Sequence, residues 1–351
     1  METRVICVHE EQVEEKDDLL RQAGEILKNG GLVAIPTETV YGLGGDGLNR
    51  ESSKKIYAAK GRPSDNPLII HIVDMDALSH IVKEISPQVE KVAAAFWPGP
   101  LTMILPKSDN VPVETTGGLN TVAVRMPSHK VARKVIEYAG GYVAAPSANA
   151  SGKPSPTLAK YVVEDMNGRI DMIIDGGEVG IGLESTIIDM TVTPPQILRP
   201  GFITEEMLSQ VLGEVDVDKT ILSGDTKLAP KAPGMKYRHY APKGQLTIVT
   251  GASEKVVEYI NGQVAEAHLQ GKKVGIIGTE ELLASYQADA VKSAGSKDDE
   301  QMIAHNLFRI LREFDDEDVD VIYSESFDNA QLGQAIMNRL LKAAGHSVKE
   351  V

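Results

Sequence analysis

Short apolar runs that recur along this chain limit the folds open to it. Such runs, bounded by turn residues, predict β-strands. In the first 213 residues they fall at 31–39, 68–73, 101–106, 121–125, 142–147, 170–175 and 185–190. Helices are predicted at 51–60, 86–96, 128–139 and from Thr204 to near Gly213. Several strands follow one another without room for a crossover helix, so the pattern predicts an α/β fold with an open, mixed sheet.

The regular pattern stops at residue 214 and resumes near residue 245. In between, residues 223–244 are rich in Pro and Gly, which interrupt regular elements. The pattern then predicts strands at 245–250, 272–279, 289–295 and 318–324, and helices near 253–270, 281–287, 299–314 and 330–344. This alternation predicts a small Rossmann-like domain. We therefore place two domains at 1–213 and 246–351, joined by a linker at 214–245.

Charge and cysteine content exclude several classes of protein. The formal net charge of −14 opposes tight direct binding to nucleic acid or to an anionic membrane. The single cysteine, Cys7, cannot form an intramolecular disulfide or a thiolate metal cluster. The sequence has no run of about 20 apolar residues and no signal-like apolar segment. We therefore expect a cytoplasmic protein that does not attach to membranes.

The linker differs from the rest of this acidic chain in its charge. Residues 225–243 contain five Lys or Arg side chains and one acid, Asp225. A plain tether has no need of such a cationic composition. We interpret the linker as a segment that folds over an anion, with a solvated tether as the alternative.

The segment "KGRPSDNPL" at 60–68 places two cations two residues apart. Gly61 and Pro63 stop the preceding helix, so the segment is expected to be extended and to point Lys60 and Arg62 to the same side. An arginine fork beside a lysine suits phosphate oxygens, and Asn66 adds an amide. The alternative is a surface loop with two solvated cations.

Other polar motifs follow apolar runs. "PTET" (36–39) puts two hydroxyls and a carboxylate at a strand end, and "APSANASGKPSPT" (145–157) is dense in hydroxyls and amides. "VAVRMP" (122–127) delivers Arg125, which either binds a carboxylate or phosphate or pairs with an acid of the chain. His71 lies in an apolar strand, where a histidine is by itself more typical of the core.

These motifs together, with "WPGPLT", "ESTIID" and "ILRPG", resemble the YrdC-like family over residues 30–203. The linker sequence "PGMKYRHYAP" and the small domain after it resemble the longer, two-domain form of that family. The resemblance implies an open twisted sheet around a deep, positively lined pocket. It also implies a nucleotidyltransferase that forms L-threonylcarbamoyladenylate and pyrophosphate from L-threonine, bicarbonate or CO2, and ATP. A separate transferase complex would use this product for the N6-threonylcarbamoyladenosine modification of tRNA.

The resemblance also assigns site residues, with Lys60 and Arg62 in the catalytic role of holding the triphosphate. The implied ATP site comprises Lys60, Arg62, Asn66, Thr121, Ser147, Asn149, Ser155, Arg199 and Tyr240. The implied threonine site comprises Thr39, His71, Arg125, Ala145 and Ser185, with Thr37 near the bicarbonate. Mg²⁺ is expected to arrive with ATP, held by phosphates and water rather than by a dedicated protein cage. We expect the linker to close over the pocket, with Lys236 and Arg238 adding positive potential.

Two alternatives remain at this point. The first is an RNA-binding YrdC-like module without synthase activity, which the net charge and the lack of an aromatic-interleaved basic stretch oppose. The second is a carbamoyl-transfer relative that matures metalloenzymes. Such relatives carry extra cysteine-rich or acylphosphatase-like modules, which this sequence lacks.

Overall fold

The computed structural model describes residues 2–218, 239–327 and 332–351. These residues separate into two compact units. The first unit holds most of the chain up to residue 218, and the second holds the residues from 239 onwards together with Gly152–Pro154 and Ile181–Leu183. Most of the predicted linker, including Lys236 and Arg238, lies outside the described residues.

The first unit is built on one mixed sheet, as the close spacing of the predicted strands required. Its strands are β1 (Arg4–Cys7), β2 (Val33–Ile35), β3 (Gly42–Asp46), β4 (Ile69–Ile72), β5 (Leu101–Pro106), β6 (Thr121–Arg125), β7 (Tyr142–Ala144), β8 (Met172–Asp175), β9 (Thr186–Asp189), β10 (Gln196–Arg199) and β11 (Asp216–Val217). Their order in the sheet is β1-β8-β2-β3-β7-β4-β6-β5-β9-β10-β11. Pairs such as β4 with β6 are parallel, whereas β5 pairs with β6 in the antiparallel sense. The predicted mixed α/β sheet is thus confirmed.

Four of the seven described helices of the first unit begin at a residue whose side chain caps the helix. They are α1 (Asp17–Lys28), α2 (Arg50–Lys60), α3 (Met75–Ile81), α4 (Pro87–Phe96), α5 (Lys130–Tyr138), α6 (Ala159–Met166) and α7 (Glu205–Leu212). The hydroxyl of Ser86 caps α4 by accepting from Val89 N, and that of Thr204 caps α7 by accepting from Met207 N. Both N-termini were predicted from the sequence and are confirmed.

The two faces of the sheet at β4, β5 and β6 differ sharply. On one face, side chains such as Ile70, Val124 and Met103 pack against α3, α4 and α7 in a large apolar core. On the other face, alternate residues form only a small cluster of Ile69, Ile104, Ala123, Ile187 and Leu198. Because side chains alternate along a strand, the residues two positions beyond this cluster also lie on the lightly covered face.

The second unit is a parallel sheet with intervening helices. Its elements are β12 (Gln245–Thr250), α8 (Ser253–Leu269), β13 (Val274–Thr279), β14 (Ala290–Gly295), α9 (Glu300–Asp316), β15 (Val321–Glu325), α10 (Gly333–Ala343) and β16 (Val348–Glu350). The strand order is β14-β13-β15-β12-β16, with every pairing parallel, which confirms the predicted Rossmann-like character. The helix predicted at 281–287 is wrong, because only a 3-10 turn at Leu283–Ser285 forms there. Among the described residues, every helix is too short or too polar to cross a bilayer.

Candidate active site

Three neighbouring strands bring polar side chains into one row. The register pairs His71 of β4 with Arg125 of β6, and Arg125 with Thr102 of β5. Paired residues of adjacent strands point to the same face, so all three side chains project from the lightly covered side of the sheet. All three are buried, with exposed fractions of 3%, 4% and 0%. His71 and Arg125, both predicted to bind threonine, are therefore direct neighbours.

The guanidinium of Arg125 is oriented by the "PTET" segment. Its Nη1 donates to Thr39 Oγ1 at 2.8 Å, and its Nη2 lies 2.7 Å from a carboxylate oxygen of Glu38. Its Nε is shielded from solvent and has no hydrogen-bond partner within the described residues. A buried donor without an acceptor is costly, so this nitrogen is suited to a ligand that brings an acceptor. Of the two alternatives for Arg125, pairing with an acid is observed, and a donor remains for an anion.

Glu38 is the partner of this arginine, and sequence reasoning did not include it among the site residues. Burial by itself raises the pKa of Glu38, but the charge and hydrogen bonding of Arg125 outweigh burial and hold this pKa below its ordinary value. Glu38 is therefore ionised at neutral pH. Its position inside the "PTET" motif was the available signal.

The turn that carries Glu38 is fixed by Thr37. Its hydroxyl accepts from Thr39 N at 3.2 Å and from Val40 N at 3.3 Å, and it donates to Val40 O at 2.6 Å. The hydroxyls of Thr37 and Thr39 are 3.0 Å apart. Thr37 thus fixes the turn that presents Thr39 and Glu38 to Arg125, and its predicted place near bicarbonate stays a prediction.

His71 is held as a neutral imidazole. Burial, and then the positive charge of Arg125, lower the pKa of His71 to about 3. Its Nδ1 lies 3.2 Å from Ile69 O. When Nδ1 carries the proton and donates to this carbonyl, Nε2 is left as an acceptor for a hydroxyl or amine.

On the other side of Arg125, the row continues through Thr102 to Ser185 and Arg199. Thr102 Oγ1 lies 2.7 Å from Ser185 Oγ, which also accepts from Arg199 Nη2 at 3.1 Å. Arg199 Nε donates to Ser185 O at 3.0 Å. Ser155 lies beside this group, because its hydroxyl donates to Glu184 Oε1 at 2.6 Å. Sequence reasoning missed Thr102, since nothing in an apolar strand marks one hydroxyl as a neighbour of Ser185.

Lys60 is placed differently from the sequence expectation. The segment does not extend from residue 60, because Lys60 is the last residue of α2 and Gly61 follows in the left-handed region with φ of 63°. Lys60 is 3% exposed, and its ammonium donates to the carbonyl oxygens of Ser147 and, at 2.6 Å, Asn149. The expectation of an extended Lys60–Arg62 pair was wrong, because the glycine ends the helix only after Lys60.

The other predicted nucleotide residues flank this lysine. The half-buried Arg62 donates from Nη2 to Pro67 O at 3.0 Å and from Nε to the backbone oxygen of Asn66 at 3.3 Å. The side-chain Oδ1 of Asn66 is buried and has no hydrogen-bond partner among residues 2–218, 239–327 and 332–351. Ser147 Oγ donates to Asn149 Oδ1 at 2.5 Å.

Thr121 and Ala145 belong to the first unit, whereas Tyr240 belongs to the second. Thr121 shares a face of β6 with Arg125, about 13 Å along the strand. Ala145 N donates to Ile69 O at 2.9 Å, which joins the 145–157 segment to β4. Tyr240 belongs to the second unit, where its ring packs 5.0 Å from that of Phe308, so its contact with nucleotide stays a prediction.

Metal ligands are scarce in this arrangement. Across the part of the chain that the structure describes, no three His, Cys, Asp or Glu side chains group closely enough to hold a metal ion. Apart from the carboxylates of Glu38 and Glu184, which are bonded to Arg125 and Ser155, the side chains that line the site are mainly hydroxyls and cations, which suit anionic ligands. A divalent cation that enters already bound to phosphates is compatible with this donor set.

The mixed sheet and its row of buried polar residues define an α/β protein with a polar site on one face of the sheet. A family model for Sua5, YciO and YrdC proteins, described as telomere recombination, matches residues 25–201. A second model, described as the C-terminal domain of threonylcarbamoyl-AMP synthase, matches residues 203–345. The chain therefore belongs to the Sua5/YciO/YrdC family, which confirms the resemblance found in the sequence.

Curated relatives and solved structures match almost the whole chain. A threonylcarbamoyl-AMP synthase of Pyrococcus abyssi is 50% identical over 332 residues, covering 95% of this chain and 96% of the relative. One of Bacillus subtilis is 46% identical over 339 residues, covering 96% of each. The structure of P. abyssi Sua5 complexed with L-threonine is 48% identical, with a TM-score of 0.92 over 99% of this chain and 100% of that one. These relatives favour an enzyme over an RNA-binding module.

Proposed function

We propose that this protein forms threonylcarbamoyl-AMP and pyrophosphate from L-threonine, bicarbonate or CO2, and ATP. The observation that carries the proposal is the match, across both units, to proteins named threonylcarbamoyl-AMP synthase. The reaction makes the enzyme a nucleotidyltransferase. The buried row around Arg125 supports this function because it offers oriented donors and acceptors for a small zwitterion beside several cations.

The amino-acid end of the site is proposed to lie at Arg125. The unpartnered Nε of Arg125 would bind the carboxylate of L-threonine, as charge-assisted bonds of this kind do. The neutral ring of His71 and the hydroxyls of Thr39 and Ser185 would orient the threonine hydroxyl and amine. Ala145 would contribute its backbone nearby.

The nucleotide end is proposed to lie at Arg62, Lys60 and the 147–149 loop. Arg62 would bind phosphate oxygens, while Lys60, through its contacts with two loop carbonyls, would hold the loop in place. Mg²⁺ is proposed to enter bound to the ATP phosphates. The remaining proposed ATP contacts are Asn66, Thr121, Ser147, Asn149, Ser155, Arg199 and Tyr240.

The chemistry places few covalent demands on the protein. The threonine ammonium first loses a proton, and the free amine then adds to CO2 with loss of a second proton, or reacts with bicarbonate with loss of water, to give a carbamate. A carbamate oxygen then attacks the ATP α-phosphorus, and the bond from that phosphorus to pyrophosphate breaks. Positioning of the reactants and stabilisation of charge on the phosphates therefore dominate catalysis. We place the reaction in the cytoplasm and propose that a transferase complex uses the product to modify tRNA.

The test is pyrophosphate release by the full chain, with ATP, bicarbonate and radiolabelled threonine present. We expect release that depends on threonine and bicarbonate, and a labelled adenylate product. Arg62→Ala should lower kcat/KM about 10- to 100-fold, the effect of losing one charge-assisted phosphate contact. Arg21→Ala, which changes an exposed arginine paired with Asp17, should retain full activity. Pyrophosphate release that ignores threonine would overturn the proposal.

A further inference from the structure

The ion pair between Glu38 and Arg125 affects which ligands this site can bind. Both carboxylate oxygens of Glu38 and the Nε and Nη2 atoms of Arg125 are shielded from solvent. The side chains as a whole are 13% and 5% exposed. Arginine keeps its proton in proteins, and the pKa of Glu38 lies below its ordinary value, so both groups are charged. The neighbouring His71 is neutral, so the group formed by Glu38, Arg125 and His71 carries no net charge.

A site with no net charge treats two kinds of carboxylate ligand differently. A zwitterionic amino acid adds no net charge, because its ammonium offsets its carboxylate. A hydroxy acid, which carries the same carboxylate but no ammonium, brings an uncompensated negative charge close to Glu38. Low-dielectric surroundings strengthen this difference.

We propose that Glu38 is a specificity-determining residue that selects zwitterionic amino acids over simple carboxylates, while it also orients Arg125. The proposal rests on the proposed function, since it assumes that threonine binds with its carboxylate at Arg125. An amino acid that binds with its carboxylate at Nε also brings its α-ammonium near the Glu38 carboxylate, because both charged groups belong to one small molecule. Attraction between these charges, about 7 Å apart in surroundings with an effective dielectric constant of about 20, amounts to a factor of roughly fifty in affinity.

A comparison of two kinds of ligand distinguishes this role of Glu38 from a purely structural one. Loss of orientation at Arg125 weakens every carboxylate ligand by a similar factor, because each uses the same guanidinium. Loss of the Glu38 charge weakens only ligands that carry an ammonium. The ratio of two dissociation constants therefore reports the charge alone, even where absolute affinities fall.

The experiment compares L-threonine with 2,3-dihydroxybutyrate, in which a hydroxyl replaces the amine. Dissociation constants for both are measured by titration calorimetry on the full chain, with displacement of threonine used for the weaker ligand. Glu38→Gln should lower the ratio of the hydroxy-acid constant to the threonine constant roughly fiftyfold. Glu38→Ala should lower the ratio similarly, with weaker binding of both ligands because Arg125 is less well held.

The matched control is Glu137→Gln, which removes the same charge from an exposed residue of α5 paired with Lys134. Its ratio should equal that of the unaltered chain. A ratio for Glu38→Gln and Glu38→Ala within twofold of the unaltered chain would overturn the inference and leave the proposed function standing. An unaltered chain that does not bind threonine would overturn the proposed function itself.

Discussion

Replacing Arg125 by methionine should destabilise the protein and abolish threonine binding through two separate effects. The substitution leaves the Glu38 carboxylate, 13% exposed, without its 2.7 Å partner. Breaking a buried ion pair from one side costs about 3–5 kcal/mol, and the residual exposure of Glu38 favours a value of about 3 kcal/mol. For a unit of this size, that loss lowers the melting temperature by roughly 6–12 °C at pH 7.

The loss should depend on pH, with a sign that the Glu38 pKa fixes. In the unaltered chain the pKa of Glu38 is depressed, so its pairing stabilises the fold above the unfolded pKa, and this contribution disappears as pH falls through the folded pKa. In Arg125→Met, burial without a cation raises the pKa of Glu38. The variant should therefore recover part of its stability as pH falls from 7 to 5, because the carboxyl takes up a proton.

Thermal melts of the full chain at both pH values measure this effect, and calorimetry measures threonine binding. The double variant Glu38→Leu with Arg125→Met removes both charges, so its melting temperature should return to within a few degrees of the unaltered value. Threonine binding should stay absent in both variants. Arg125→Met with an unchanged melting temperature at pH 7, or with threonine affinity within threefold of normal, would refute the reasoning.

Two further predictions concern the neighbours of Arg125. Thr102→Val keeps the shape of the side chain but removes the hydroxyl 2.7 Å from Ser185 Oγ, so the dissociation constant for threonine should rise about fivefold, the effect of one hydrogen bond. Thr102→Ser should retain the affinity, and an equal loss in both variants would contradict the role of the hydroxyl. Because the pKa of His71 lies near 3, threonine affinity measured by calorimetry should be constant between about pH 5.5 and 8. A threonine affinity that changes with pH around a midpoint near 6.5 would show that His71 is not held neutral.

The sequence predicted most of the fold because strand and helix periodicity agree with the final packing. It did not predict the strands β1, β3, β10, β11 and β16 or the helices α1, α3 and α6. Strand β3 was missed because its residues Gly42–Asp46 contain three glycines, and glycine lowers strand propensity. The structure shows why glycine is favoured at Gly44: a Cβ there would lie 2.9 Å from Val143 Cγ1 and 3.0 Å from the backbone oxygen of Val33. Such close approaches depend on tertiary contacts and are not visible in a local pattern.

The site was only partly predictable, for a similar reason. His71 and Arg125 could be singled out because each interrupts an apolar strand, but the register that makes them neighbours joins residues far apart in the sequence. The register of β5 and β6 likewise makes Thr102 a neighbour of Arg125, and no local pattern shows this pairing. The misplacement of Lys60 has a local cause, because both an extended segment and a left-handed glycine agree with "KGRP", and only the backbone angle of Gly61 distinguishes them.

Three buried cations of the first unit, Lys60, Arg125 and Arg199, are each bonded to acceptors within the fold. A cation removed from water is unstable unless the protein provides acceptors. Lys60 has the carbonyls of the 147–149 loop, Arg125 has Glu38, and Arg199 has the hydroxyl and carbonyl of Ser185. Because these contacts form within the fold, the donors are already oriented when ligands arrive, which is the condition for effective electrostatic stabilisation of a transition state. Arg62 is half-buried, and its guanidinium likewise donates to backbone carbonyls, those of Asn66 and Pro67.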